Sequence, residues 1–286
     1  FALASQIPVG STAASLGFGM DLAGRTALLT GATGGLGRAI AVALAQRGAS
    51  LVLSARKPEA LEALAAELPG DGHRIVPSDL AETGAAEALA AMAGAVDLLV
   101  ANAGLPAAGR MEEFSAEEVK RALRVNLESP MLLAQALYPA MLEKGSGHLV
   151  FVASLSGKAP SPHSSIYNAT KFGLRGFALG LRADLSSQGI GVSIVSPGFI
   201  REAGMFAESG ATPPAGLGTS TPEEVARGTV RAIEADKVEV VVAPVQQRFL
   251  AHVGLVSPGI AVRTASGAAG QRAAAEVAAG HSKEKR

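Results

Sequence analysis

Tyr167 and Lys171 stand four residues apart at the end of the stretch that begins at Ser154. On a helix they share one face, a single turn from each other. A phenol is a poor acid or base at neutral pH, its unperturbed pKa being roughly 10. An ammonium beside it favours the phenolate and lowers that value toward the working range. The pair is therefore a candidate proton-transfer device. Tyr and Lys at this spacing also occur by chance on many helices, so the pair needs support from the rest of the chain.

Support comes first from residues 26–37. The apolar run Thr26-Ala27-Leu28-Leu29-Thr30 has the length of a buried strand. It meets Gly31-Ala32-Thr33-Gly34-Gly35-Leu36-Gly37, after which Leu36, Ile40, Ala43 and Leu44 recur with helical spacing. Strand, glycine turn and helix in that order make a phosphate site: glycines let a pyrophosphate approach the backbone N–H groups at the helix start. Gly31, Thr33, Gly34, Gly35, Leu36 and Gly37 are the candidate cradle. Their Gly-x-x-x-Gly-x-Gly spacing differs from the common dinucleotide fingerprint, and glycines also serve ordinary turns. A second strand-like run, 50–54, leads to Arg56 where an acidic side chain usually takes the adenosine ribose 2′-hydroxyl. Arg56 and Arg38 would suit a 2′-phosphate and so favour NADPH over NADH; the alternative is two surface arginines. Asp79 and Leu80 end a strand over 73–77, placed either to contact an adenine ring or, through Asp79, to cap a helix. Asn102-Ala103-Gly104 follows the apolar run 96–100, where small residues suit cofactor approach or a tight turn. Asn126 sits late in an apolar helical pattern over 116–127, and a buried amide needs partners, as a structural bridge or in a polar relay.

The positioning elements alternate along the chain. Further helical patterns run over about 61–68, 130–144 and 167–185, and further strands over 148–153, 191–196 and 238–243. Thr221-Pro222-Glu223-Glu224 announces a capped helix. Residues 199–220 are long for a connection without structure and read as a lid. No repeat or second domain boundary interrupts the pattern, which predicts an α/β fold: one doubly wound, mainly parallel sheet in a three-layer α/β/α domain over residues 20–265. Residues 1–19 are small and apolar, without the basic start of a secretory signal, and read as a leader or tag-like segment, poorly ordered. Residues 266–286 read as a helix with a frayed, solvated tail.

Composition narrows the function. With 286 residues and 48% hydrophobic content the chain can bury a large core. A formal net charge of zero, without a long basic block, argues against a nucleic-acid backbone as partner. Without cysteines there is no disulfide and no thiolate metal site, and the five histidines lack ligand spacing. No apolar run reaches the ~18 residues of a membrane span, so a soluble, cytoplasmic protein is expected.

Taken in order, Thr30-Gly31-x-x-x-Gly35-x-Gly37, Asp79-Leu80, Asn102-Ala103-Gly104, Asn126, Ser154, Tyr167-x-x-x-Lys171 and Pro197-Gly198 resemble the short-chain dehydrogenase/reductase family over about residues 22–243. The resemblance implies a Rossmann-like fold, an NADP(H) cofactor, and hydride transfer to or from a small-molecule carbonyl or secondary alcohol. It implies that Tyr167 gives or takes the proton of the substrate oxygen. Lys171 would hold the nicotinamide ribose and depress the Tyr167 pKa, Ser154 would orient the carbonyl, and Asn126 would hold a water linking Lys171 to solvent. Independently, hydride addition makes an alkoxide that Ser154 and Tyr167 can stabilise and protonate. Two departures stand out. Ala101 replaces the first Asn of the family's Asn-Asn-Ala-Gly. Phe199-Ile200-Arg201-Glu202 lacks the Thr that many members use on the carboxamide, leaving the backbone at Ile200 for that contact. Leu105, Leu155, Met205 and Phe206 could line an apolar substrate pocket or simply pack the lid; His163 could face that pocket or solvent. The helices around Asn126 and Tyr167 resemble the family's dimer-forming pair, so a homodimer or homotetramer is expected. The rival readings are a non-catalytic NADP-binding regulatory or scaffold protein on the same fold and, more distantly, a nucleotide-binding transferase. Intact Ser154, Tyr167 and Lys171 argue for the oxidoreductase.

Overall fold

The computed structural model describes residues 19–281, so the leader-like segment, apart from its last residue, and the charged end 282–286 lie outside the described residues. Seven strands form one parallel sheet: β1 Thr26–Thr30, β2 Ser50–Ser54, β3 Arg74–Ile75, β4 Leu98–Ala101, β5 Gly147–Val152, β6 Ile190–Pro197 and β7 Glu239–Val242. Their spatial order is β3-β2-β1-β4-β5-β6-β7. Buried on both faces, the inner strands read as near-continuous apolar runs, which is why β5 and β6 are buried at every position. Successive residues still divide between the faces. Ala27 and Leu29 join one core with Ile40, Leu44, Leu61, Val225 and Ile233. Leu28 joins the other with Leu89, Leu133, Leu137, Phe151 and Leu174.

The helices are α1 Gly35–Ala45, α2 Pro58–Glu67, α3 Ala85–Ala93, α4 Ala116–Leu123, α5 Ser129–Lys144, α6 Ser165–Leu185, α7 Met205–Ser209, α8 Pro222–Glu234, α9 Val245–Val256, α10 Pro258–Ala265 and α11 Ala268–Gly280; α1, α2 and α8 pack the first core, α3, α5 and α6 the second. The capping box expected at α8 is present: Glu224 N donates to Thr221 Oγ1 at 3.2 Å, and Thr221 N donates to the Glu224 carboxylate at 2.9 Å. The expected helix over 116–127 and its successor are instead one rod, α4 and α5, joined by a π-helical turn, Arg124–Glu128. The strand expected over 73–77 shrinks to two residues at the sheet edge, ahead of Pro77.

The strand order reverses between β1 and β4, so their carboxyl ends part and open a crevice. At the opposite end of the sheet, His148 on β5 is fully buried, with Nε2 2.8 Å from Ser193 Oγ. Burial pushes its pKa from the ordinary 6.5 down to about 4. The native ring therefore stays neutral while the unfolded chain takes up a proton as pH falls through 6.5. Stability present above that pH is lost on acidification, by about 2 kcal/mol between pH 7 and pH 5. Urea unfolding at both pH values is expected to show this loss, and to show it much reduced in His148→Gln.

Candidate active site

Gly31 turns the chain at the end of β1 with φ +64, and a Cβ there would lie 2.9 Å from Ala103 Cα. Only glycine lets the β1 and β4 turns approach so closely. Thr30 Oγ1 accepts hydrogen bonds from the N–H groups of Asn102 and Ala103, both at 3.1 Å. The Asn102 amide returns hydrogen bonds to the carbonyls of Thr30 and Gly31, at 3.1 and 3.2 Å. Asn102 thus braces the glycine turn from the side, and Thr30, which the motif contained without a role, is the second brace. The first turn of α1 carries no acidic residue, and its N-cap, Gly34, offers no side-chain cap. The leading N–H groups of a helix without a cap attract an anion. These features fit a pyrophosphate.

Ser154 follows β5 in extended conformation and caps the short turn Leu155–Gly157, its hydroxyl accepting from Ser156 N at 3.1 Å. That turn presses on α6 closely enough that a Cβ on Gly157 would meet Lys171 O at 2.6 Å. The fit brings Ser154 within hydrogen-bonding reach of the Tyr167 hydroxyl. A second brace lies behind: Lys158, Arg175 and Ser196 all bind the Glu239 carboxylate, with Lys158 at 2.8 Å and Ser196 at 2.7 Å. Burial would raise the Glu239 pKa, but those hydrogen bonds outweigh it and hold the group below the usual carboxylate range. The network ties the Ser154 turn to α6, β6 and β7.

Tyr167 and Lys171 sit one turn apart on α6, and Lys171 Nζ lies 5.6 Å from the Tyr167 ring centroid. The expected depression of the phenol does not follow from this placement. Burial pushes Tyr167 up to about 12, against a lowering hydrogen bond from Ser154. Lys171 is itself pushed down to about 8 by burial. Its ammonium donates to Val152 O at 3.0 Å and stands over the ring rather than at the phenolic oxygen. Among the protein's own groups, desolvation decides the direction for both.

The crevice is a cleft of about 1050 Å³. That exceeds a single small-ligand pocket and can hold a dinucleotide together with a substrate. Gly31, Thr33, Gly34, Gly35, Leu36 and Gly37 line the cleft, with Arg56, Asp79 and Leu80. Asn102, Ala103, Gly104, Ser154, Leu155, Tyr167, Lys171, Pro197, Gly198 and Ile200 line it too, as do Leu105, Met205 and Phe206; the segment leading into α7 reaches the glycine turn, where a Cβ on Gly35 would fall 2.2 Å from Ala203. Three expected residues lie elsewhere. Arg38 points away from the cleft and pairs with Glu67 at the end of α2. Lys57 lines the cleft beside Arg56 instead, a neighbour the sequence reading did not single out. Asn126 is fully buried behind the wall, its Oδ1 accepting from Leu105 N at 2.6 Å and its Nδ2 donating to Leu105 O at 2.9 Å. Those bonds tie the Leu105 backbone to a π-helical turn of the kind often found at functional sites. His163 meets Gln271 at 3.2 Å rather than the cleft. Asp79 accepts from Ala81 N at 3.0 Å, so it caps a local turn and leaves α3 to begin after Gly84.

Residues 199–220 carry structure of their own. They hold α7 and a bridge between Ile200 and Ser220, and Phe199 and Phe206 stack with centroids 4.7 Å apart. Gln247, buried on α9, clamps both ends: its Oε1 accepts from Phe199 N at 3.1 Å, and its Nε2 donates to Leu217 O and Gly218 O at 3.1 and 2.8 Å. The helix expected over 266–286 is α11, and it lines the cleft; the expected frayed end 282–286 lies outside the described residues. Gly280 packs so tightly on α7 that a Cβ would fall 1.9 Å from Ser209 O, while Gln271 meets His163 on the far side. Ala269, Gly270, Ala273, Ala274 and Val277 form its cleft face. Their apolar helical spacing was legible; that they face a cleft was not.

Residues 25–214 match the family model described as short chain dehydrogenase. The ketoacyl reductase HetN of a Nostoc strain is 35% identical, the match covering 83% of this chain and 86% of that protein. A dehydrogenase/reductase SDR family protein 7-like of Anopheles gambiae is 30% identical, over 84% of this chain and 81% of its own. Among solved structures, a short-chain dehydrogenase from Sphingobium yanoikuyae in complex with NADPH superposes with a TM-score of 0.73 at 28% identity, covering 82% of this chain and 95% of that one. A metagenomic short-chain oxidoreductase in complex with NADP gives 0.64 at 33% identity, with 79% and 99% covered.

Proposed function

The chain belongs to the short-chain dehydrogenase family, and from that premise we propose that it is an NADPH-dependent reductase of a carbonyl on an apolar substrate. The observation that carries the reading is the Ser154–Tyr167 hydroxyl pair, which lines the same cleft as the glycine turn and the apolar side chains of Leu105, Met205 and Phe206. The glycine turn and the start of α1 would hold the pyrophosphate, Arg56 and Lys57 the 2′-phosphate, and Lys171 the nicotinamide ribose. The nicotinamide, when bound, supplies hydride to the carbonyl carbon. Ser154 and Tyr167 both donate to the carbonyl oxygen and stabilise the charge that grows on it. Tyr167, with its pKa pushed up to about 12, keeps its proton at neutral pH and is ready to give it to the alkoxide. Asn126 acts as a positioning residue, holding the Leu105 backbone against the cleft. The apolar linings from α7 and α11 suit a hydrocarbon chain, consistent with the name of the Nostoc relative.

Purified protein is expected to oxidise NADPH in the presence of apolar ketones or aldehydes, and NADH more slowly. In Arg56→Ala the KM for NADPH should rise about ten- to hundredfold, the worth of hydrogen bonds to a charged group, with NADH little affected. Equal changes for both cofactors would remove Arg56 from the 2′-phosphate. Tight NADPH binding without turnover across the panel would leave a scaffold protein.

A further inference from the structure

The helices that close the cleft on one side carry an apolar face that nothing covers among the described residues. On α9 the buried residues Gln247, Ala251 and Gly254 face the domain. The opposite stripe is outward: Val245 is 73% exposed, Phe249 65% and Val256 70%. Leu255 extends this stripe, and Ile260 and Val262 continue the exposed face on α10. Scattered exposed apolar residues are ordinary, but this many together on adjoining helices mark an interaction face.

Its charge is as uneven as its polarity. The whole chain balances 25 basic against 25 acidic residues. Residues 240–275 contain Arg248, Arg263 and Arg272 and no Asp or Glu. All three arginines are exposed, and none has a carboxylate partner among the described residues. Apolar side chains interspersed with arginine are the chemistry of a helix lying in an anionic lipid interface. A second copy fits poorly, because its own matching face offers the same three arginines and no carboxylate to pair them. No helix of the described residues is long and apolar enough to cross a membrane, so the contact is peripheral.

We propose that the outer face of α9 and α10 docks this protein on an anionic lipid surface. The same helices line the cleft on their other side, through Leu250, Ala251, Val253 and Ala261. On the reading of the cleft as a carbonyl-reducing site, docking sets the wall it shares with α9 and α10 beside the lipid. Vesicle binding is measured without turnover, so that reading and this one can fail separately.

The test is co-sedimentation of the full chain with phosphatidylcholine vesicles, with and without phosphatidylglycerol. The protein is expected to pellet with the anionic vesicles, less with the neutral ones, and to be released as salt rises. Val245→Glu/Phe249→Glu should cut partitioning at least about tenfold, since it replaces buried apolar area with charge. Arg248→Gln/Arg263→Gln should cut it by about fivefold per charge removed. None of these four residues lines the cleft, so both variants should turn over a water-soluble ketone like the unaltered protein. Wild-type protein that stays in the supernatant, or variants that pellet equally, would overturn the proposal. So would light scattering in which Val245→Glu/Phe249→Glu splits an oligomer while vesicle binding is absent; the face would then belong to a second copy.

Discussion

Tyr167→Phe is expected to lower kcat for carbonyl reduction by about a thousandfold or more and to leave NADPH affinity within about twofold. The substitution removes one oxygen. The ring keeps its packing beside Ile166, Ala107 and Ala122, so the helix and the fold have no reason to change. What goes is the hydroxyl hydrogen-bonded to Ser154, and with it the proton proposed for the alkoxide. Ser154 is a poor replacement, because an aliphatic hydroxyl is a much weaker acid than a phenol and gives its proton to the alkoxide with less driving force. Ser154→Ala, which removes an orienting donor and leaves the acid, should cost less, on the order of a hundredfold. Stopped-flow single turnover together with fluorescence titration of NADPH separates chemistry from binding. A Phe variant within about tenfold of the native rate would show that the proton comes from elsewhere.

Gly37→Ala should fail differently, by losing the cofactor and some of the fold together. A Cβ at this position would sit 2.0 Å from Gly31 O and 2.8 Å from Gly31 C. Both are backbone atoms of a turn already held by Asn102 and Thr30, so the obstruction cannot rotate away. Strain of this kind costs about 1–3 kcal/mol, a fall in Tm of roughly 3–10 °C for a domain of this size. The turn must also shift, which carries the cradle off its geometry and should weaken NADPH binding at least about a hundredfold. Gly34→Ala is the control: its Cβ would meet only Gly31 O, at 3.4 Å, so Tm should hold. Calorimetry and NADPH titration decide the matter, and native values of both Tm and affinity in Gly37→Ala would remove the crowding argument.

The parts of this protein legible in the sequence are those written within a few residues. The apolar runs that became β1, β2, β4, β5 and β6, the glycine turn, the capping box at Thr221, and the four-residue step from Tyr167 to Lys171 all repeat at strand or helix spacing. Alternation of such elements was enough to fix a parallel, doubly wound sheet, because right-handed short connections leave few other arrangements. Side-chain destinations were another matter. Arg38 lies beside the glycine turn in sequence yet finds Glu67, and Lys171, over the Tyr167 ring, gives its hydrogen bond to Val152 O. Each choice depends on a partner that only the folded chain brings near.

The same limit explains Gln247 and α11. Gln247 grips carbonyls about thirty residues before it in the chain, and nothing in its neighbours' spacing announces a clamp. The Ala/Gly-rich end looks like a helix from any viewpoint, but small residues suit solvent, a tight helix contact or a cleft wall equally well. Contact between α11 and α7, close enough to exclude a Cβ on Gly280, made it a wall. Local periodicity decides which elements form, since hydrophobic burial acts on every turn and strand alike. Which groups meet across the cleft, and which way their pKa values move, is settled by desolvation and long-range pairing, and those exist only once the layers have closed.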